Sequence, residues 1–506
     1  MRIHFVCHVR NPFLTVVEAS AKMSQVNQQE ITFGTLATQS APITKLPAEV
    51  LTEIFKTYVE SYPEILGQEV ADLCLVSKYW NAVANSTPQL WTEIDLSFPF
   101  TNHHLTAVLK RVRASKLEKI DVSIDFYDPN WDGDEPRYDE HDTFHTNETT
   151  WVQDIMTVLR GTETRWKSIT VVSETWLPLY KLMEDWAFTH LPSLESISME
   201  RQGTIFGMRN VPFDPPLLVG PMTLFGRNAS LPKLRDLSLS GVHVDWDDAS
   251  GGYQNLCKLE INNLTYDVGP SFEQFAAMLS SSPRLEYLDV SGFCPEHHTG
   301  PAPPAGGDPE IPIVHLPVLK EFTFGWKDAN LGGLFLQMFQ IGNSLESLTL
   351  MDTESGFGSW RDSQTQNRGW FQESHEIFED LCELGSAAPK DEDDIPSGPF
   401  ISMGGVKRLK IAWTKATRSS VIPFFTMLTK LEDVWLEDVN RDVLGDFTWV
   451  MVGVSHREAA YPPMRRLDLR WMWHEGIPRF AESSIVQLEL VGVKVTAQAV
   501  EEWRVE

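Results

Sequence analysis

The sequence predicts an α/β chain: a short helical module near the N-terminus, followed by a long array of strand–helix units. Three observations predict this. Two apolar stripes at helical spacing lie between Leu46 and Val83. After residue 100 the pattern Φ-x-x-Φ-x-Φ, with Φ a large apolar residue, returns twelve times. Amphipathic helical segments fall between several of its copies.

The module comes first. Pro47 stands where a fixed φ and a missing N–H suit the first turn of a helix. From there Leu46, Val50, Leu51, Ile54, Phe55 and Tyr58 recur at helical spacing, with Glu, Lys and Thr opposite. A second helix places Leu73, Val76, Trp80 and Val83 on one stripe and stops at Asn85-Ser86-Thr87-Pro88. Two helices this short cannot bury both stripes against each other. The rest of the chain or a partner must cover them.

The signals come in a set order: Leu46-Pro47, then Ile54-Phe55, then Leu73-x-x-Val76-Ser77-Lys78-x-Trp80, then Pro88-x-Leu90-Trp91. In that order, residues 42–96 resemble the F-box, in the form found in many fungal proteins whose closing Pro-x-Leu-Trp leads directly into repeats. F-box proteins commonly carry Cys-Arg where this chain has Ser77-Lys78, and the small and basic characters are kept. The resemblance implies that Leu46, Pro47, Ile54, Phe55, Val76 and Trp80 help dock the Skp-type adaptor of a cullin–RING (SCF-type) ubiquitin ligase. The other reading of the same residues is a helical hairpin that caps the following domain.

The array follows. Its units include Leu117-Glu-Lys-Ile120-Asp-Val122, Leu194-Glu-Ser-Ile197-Ser-Met199, Leu234-Arg-Asp-Leu237-Ser-Leu239, Leu285-Glu-Tyr-Leu288-Asp-Val290 and Leu345-Glu-Ser-Leu348-Thr-Leu350. Chance alone produces many such triplets in an apolar chain, so the flanks carry the argument. The second residue is charged in ten of the twelve copies, and several copies follow Leu-Pro or Ser-Pro, as at Leu191-Pro192 and Ser282-Pro283. Helical faces precede strands where the units need them: Trp151, Ile155, Val158 and Leu159 form one, and Phe272, Phe275, Met278 and Leu279 another. The units resemble degenerate leucine-rich repeats, which implies an irregular horseshoe-like solenoid over residues 97–506. They lack the regular Asn or Cys that follows the strand in such repeats. A non-solenoid α/β domain is the alternative.

Residues 1–41, without clear periodicity, read as a flexible tail. Insertions interrupt the array near 127–148 (acidic), 295–312 (Pro/Gly-rich) and 352–399 (Gly, Ser and acid).

Composition narrows the function. The 506 residues are 42% hydrophobic and 11% aromatic, which excludes wholesale disorder. A net charge of −28 argues against nucleic acid or an anionic membrane as partner. Five scattered cysteines without a CxxC indicate neither a disulfide framework nor a thiolate zinc site, and a reducing compartment, cytoplasmic and/or nuclear, is expected.

Chemistry is sparse. Asp128, Asn130, Asp132, Asp134 and Asp139 fit a calcium-loop spacing with Gly133 at the turn. Yet the twelfth position is Asp rather than Glu and no helix precedes it, so a solvated acidic loop is expected. Cys294 with His297 and His298 lacks a second ligand pair. Cys74, between Leu73 and Leu75, reads as buried and inert. No nucleophile motif, metalloprotease motif or phosphate loop is present. The expected protein is non-enzymatic and needs no cofactor or metal. It is a substrate-recognition subunit whose repeats bind a target protein, with Trp413, Trp435, Trp471 and Trp473 as candidate contacts. Its rivals are a repeat scaffold whose F-box-like end is only a cap, a calcium-regulated binder, and an α/β enzyme.

Overall fold

A computed structural model describes residues 46–61, 68–128, 141–187, 189–202, 231–247, 253–295, 311–353, 374–389, 397–414, 418–437, 466–470 and 494–498, with isolated positions between these stretches. The chain divides into two compact units, Met1–Ile54 and Phe55–Glu506. In the first, the described residues are 46–54, and they include the opening turns of helix α1 (Ala48–Glu60). The Leu51 N–H donates to the Pro47 carbonyl at 3.1 Å, so Pro47 begins the helical hydrogen bonding without needing its own N–H.

The second unit continues with α2 (Gln68–Val76) and α3 (Lys78–Ser86). The sequence reads these as one helix, and the structure breaks it at Ser77. That residue is extended (φ −161°, ψ 163°), and its hydroxyl accepts the Trp80 N–H at 3.1 Å. A serine at this point satisfies a donor that a new helix would otherwise leave orphaned. A short 3-10 turn, Pro88–Trp91, leads into the sheet, with the Trp91 indole N–H on the Ala84 carbonyl at 2.9 Å.

Thirteen parallel strands form one sheet: β1 (Glu93–Ser97), β2 (Ile120–Asp125), β3 (Trp166–Ser173), β4 (Ser196–Arg201), β5 (Asp236–Ser240), β6 (Lys258–Asn262), β7 (Tyr287–Ser291), β9 (Glu321–Trp326), β11 (Ser347–Asp352), β13 (Arg408–Ala412), β14 (Asp433–Glu437), β15 (Arg466–Arg470) and β16 (Lys494–Gln498). Their spatial order is their chain order. A second, three-stranded parallel sheet contains β8 (Val314–Leu316), β10 (Phe339–Ile341) and β12 (Phe400–Ile401). Eleven of the twelve triplets supply strands of the large sheet; the twelfth, at Ile485–Leu490, lies outside the described residues. The sheet begins at β1, earlier than the boundary at residue 97 that the sequence suggests.

Register explains why the triplet is apolar at its fourth and sixth positions. Val122, Ile169, Ile197, Leu237, Leu259, Leu288, Phe322, Leu348, Leu409 and Val434 are cross-strand neighbours in one buried row. Each such side chain contributes about 1.5–3 kcal/mol by leaving water. The intervening residues stay half-exposed. This inside–outside alternation is unusual for a parallel sheet covered on both faces, whose strands read as continuous apolar runs. One face is therefore open.

Helices cover the other side: α4 (Asn102–Ala114), α5 (His141–Leu159), α6 (Trp176–Trp186), α7 (Phe272–Ser280), α8 (Ala329–Leu336), α9 (Ser374–Ser386) and α10 (Arg418–Met427). Ser271 and Gln274 close a capping box at the start of α7. Helices occupy part of two of the insertions read from the sequence. Residues 141–148 already belong to α5, and Glu148 is buried, accepting from the Thr175 hydroxyl at 2.5 Å. Within 352–399, α9 buries Ile377, Phe378, Leu381 and Leu384. Their helical spacing is present in the sequence but is masked there by the surrounding Gly, Ser and acid. Residues 1–41 and most of 295–312 lie outside the described residues.

The missing Asn ladder is partly supplied. Asn262 Oδ1 accepts both the Ser291 N–H and its hydroxyl at 3.0 Å, and Asn263 Nδ2 donates to Ser240 Oγ at 3.1 Å. Left-handed residues follow four strands: Gly241, Asn263, Gly292 and Trp413. Gly is required at 292, where a Cβ would lie 2.8 Å from Asn263 Oδ1.

Candidate functional site

Two surfaces stand out, and the first is the helical module. The single apolar face read for α1 is two faces. Leu51 and Phe55, one turn apart, are fully buried, whereas Val50, Ile54 and Tyr58 at i, i+4 and i+8 are exposed. Phe55 packs on Trp80 with ring centroids 4.9 Å apart. In the second stripe Leu73 and Val83 are buried and Trp80 is half-buried, but Val76 is 59% exposed. Beside it Leu75 is 83% exposed, and Tyr79 is also exposed. The break at Ser77 turns these residues outward, because α2 ends just after Leu75 and Val76. Pro47 is exposed and Leu46 half-buried. Of the six expected docking residues, Ile54, Val76 and Pro47 are therefore exposed, whereas Phe55 and Trp80 pack on each other. The sequence reading passed over Leu75 and Tyr79, since the helix break that exposes them is signalled only by one serine.

The second surface is the open sheet face. Its half-exposed and exposed positions on β1–β9 carry Glu93, Asp95, Asp121, Asp125, Glu200, Asp236, Glu260, Asp289 and Glu321, against Lys167, which lies 3.9 Å from Asp121, and Lys258. The acids perturb one another. Burial, with Glu260 adding negative charge, pushes the Asp289 carboxyl up to about 6 although Ser291 and Asn262 hydrogen bond to it. Burial and Asp95 likewise raise Asp125. Basic residues gather at the other end, where Arg408 pairs with Glu321 and Lys410 with Glu437, each at 2.9 Å.

That end also holds a cavity of about 200 Å3 lined by Lys410, Trp435, Leu436 and Glu437. Trp435 and Trp413 are half-exposed. Trp413 has φ +56° directly after β13, and its N–H donates to the Glu437 carbonyl at 2.8 Å. A left-handed conformation costs a bulky residue about 1–2 kcal/mol. Such strain gathers at functional positions. Trp471 and Trp473 lie outside the described residues. Other tryptophans (Trp166, Trp176, Trp186 and Trp326) are fully buried core.

Elsewhere the chemistry is muted. Of the calcium-loop spacing only Asp128 is described, and Asn130, Asp132, Asp134 and Asp139 lie outside the described residues. Among the described residues no three His, Cys, Asp or Glu side chains are placed to hold a metal ion. Cys74 is half-buried rather than buried, and burial raises its thiol pKa. Burial, then Glu379, pushes the Cys382 thiol up to about 11. Both thiols are thereby kept protonated and weakly nucleophilic. A buried polar group that the sequence does not signal lies beyond β3–β5: Arg201 stands over the Phe213 ring, and His243 stacks on Trp176 at 4.6 Å. No helix of the described residues is long and apolar enough to cross a membrane.

Residues 43–97 match the F-box-like family. The match spans α1 to β1 and includes every exposed apolar residue of the module. No curated protein matches the chain.

Proposed function

We propose that the chain is the substrate-recognition subunit of a cullin–RING ubiquitin ligase. Its F-box-like module holds the Skp-type adaptor, and its strand–helix array, a leucine-rich-repeat-type solenoid, holds a target protein. The observation that carries this reading is the exposed apolar set Tyr58, Leu75, Val76 and Tyr79 within the F-box-like match. Leu75 at 83% exposure is costly in water, and covering it in an interface contributes about 1.5–3 kcal/mol. The solenoid reading is supported by strands in chain order and by one open, polar sheet face.

The chain then works by proximity. One end is fixed to the ligase, the other raises the target's effective concentration near the ubiquitin-transfer site, and no residue of this chain enters the chemistry. It needs no cofactor. Its place is the cytoplasm and/or nucleus, where reduced cysteines and such ligases are compatible.

A second reading is favoured by β1. Residues 93–97 lie inside the F-box-like match and are also the first strand of the sheet, as in a solenoid's N-terminal cap without a ligase role. Co-purification with a Skp-type adaptor separates the two. The ligase reading expects a complex that is weakened by Ile54→Ala and lost on deleting residues 42–96. A chain that never associates with the adaptor supports the cap.

A further inference from the structure

We propose that the open face of β1–β7 receives a lysine- or arginine-bearing segment of the target protein. This rests on the target-receptor reading above and gives the target contact a place and a chemistry.

The first feature that carries it is an uncovered face with a defined relief. Parallel sheets are ordinarily covered on both faces, yet here one side keeps its side chains accessible. Register gives that side a floor and a rim. Ser123, Thr170, Ser198 and Ser238 are cross-strand neighbours in the central row of β2–β5. Carboxylates surround them. Asp121 and Asp236 stand in the row on one side, Asp125 and Glu200 in the row on the other. Asp95 closes the β1 end of the central row, and Glu260 with Asp289 closes the other. At about 3.3 Å per residue and about 4.8 Å per strand, the side rows lie about 13 Å apart and Asp95 about 24 Å from Glu260. One polypeptide segment fits between the rows, a helix of about 10–12 Å diameter included. The small hydroxyl side chains beneath let its backbone come close.

Charge, the second feature, selects the occupant. Eight carboxylates, Glu93, Asp95, Asp121, Asp125, Glu200, Asp236, Glu260 and Asp289, share this face with two lysines. Both lysines are already matched, Lys167 at 3.9 Å from Asp121 and Lys258 at 2.9 Å from Glu260. Among the described residues Asp95, Asp125, Glu200, Asp236 and Asp289 form no ion pair. The excess is felt within the face. After burial, the neighbouring carboxylate of Asp95 raises the Asp125 pKa, and that of Glu260 raises Asp289. A cation seated among these groups favours their charged forms, whereas an acidic segment adds to the repulsion.

The test is selection of a displayed random 12-residue peptide library on the full chain bound to its adaptor, or on the full chain alone if no adaptor binds. The selected pool is expected to be rich in Lys and Arg. Its best peptides should bind roughly tenfold or more weakly to Glu200→Gln/Asp236→Asn, which removes one carboxylate from each side row, and to Ser198→Arg, which sets a cation in the floor. Glu379→Gln/Glu383→Gln removes the same charge from exposed positions on α9 and should leave binding within about twofold, since those charges lie beyond the screening length of the face. Thermal melts identify any unfolded variant, for which Glu200→Gln, at an exposed position, serves instead. A pool without Lys/Arg enrichment, peptides indifferent to the face variants, or peptides weakened as much by the α9 control overturns the proposal. Adaptor association is scored separately, so failure of the ligase reading and failure of this surface are distinct results.

Discussion

Asp289 provides the sharpest electrostatic prediction. Its carboxyl sits on the open face of β7, accepting from the Ser291 hydroxyl and close to the Glu260 carboxylate on β6. Burial and that neighbouring charge raise its pKa from 3.8 to about 6. The unfolded chain titrates near the lower value, so the folded state binds the proton more tightly. Stability from this group is fully present below about pH 4 and is lost as pH rises through about 6. A shift of about two units at 1.36 kcal/mol each sets a ceiling of about 3 kcal/mol at neutral pH, and partial exposure reduces it to roughly 1–3 kcal/mol. Asp289→Asn removes the charge and keeps the size. The variant should be more stable than the parent at pH 7.5, by an amount that shrinks steadily towards pH 4. Urea midpoints of both proteins at four pH values read the difference, with other titrating groups cancelling. An Asp289→Asn chain that is less stable than the parent at pH 7.5, with a gap independent of pH, would refute the reasoning.

Other outcomes follow from packing and caps. Phe55→Ala removes a fully buried ring and its contact with Trp80, and should cost about 3–5 kcal/mol of local stability, read by hydrogen exchange across α3. Ser77→Ala deletes the acceptor for the Trp80 N–H and should cost about 1 kcal/mol, with α3 fraying first. Gly405→Ala would place a Cβ 2.5 Å from the Asn343 carbonyl and should lower the urea midpoint, equivalent to about 1–3 kcal/mol.

Much of the sheet was legible because its signal is local. In Leu285-Glu-Tyr-Leu288-Asp-Val290, period-two alternation and the charged second residue specify a strand with one buried and one open face. The same holds for the Trp151–Leu159 and Phe272–Leu279 helical faces. What was not legible depended on competition between signals. Ser77 caps a new helix and so splits a stripe that periodicity alone joins. The apolar spacing of α9 was outweighed by the composition around it, and Glu148 is buried through a hydroxyl twenty-seven residues away. Which side of α1 faces water could not be read at all, since Val50, Leu51, Ile54 and Phe55 are equally apolar and only tertiary packing selects Leu51 and Phe55. The cavity beside Trp435 needs two strands, β13 and β14, in register, and no single segment records it.

The central claim is that the outward apolar residues of the helical module bind an adaptor rather than stabilise the fold. Calorimetric titration of purified Skp-type adaptor into the parent chain and into Leu75→Asp/Val76→Asp tests it most directly. Both residues are exposed, so the melting temperature should not change, while loss of two buried apolar contacts at about 1.5 kcal/mol each should weaken the complex more than a hundredfold. Unchanged affinity in the double variant, or no binding by the parent chain, would contradict the account.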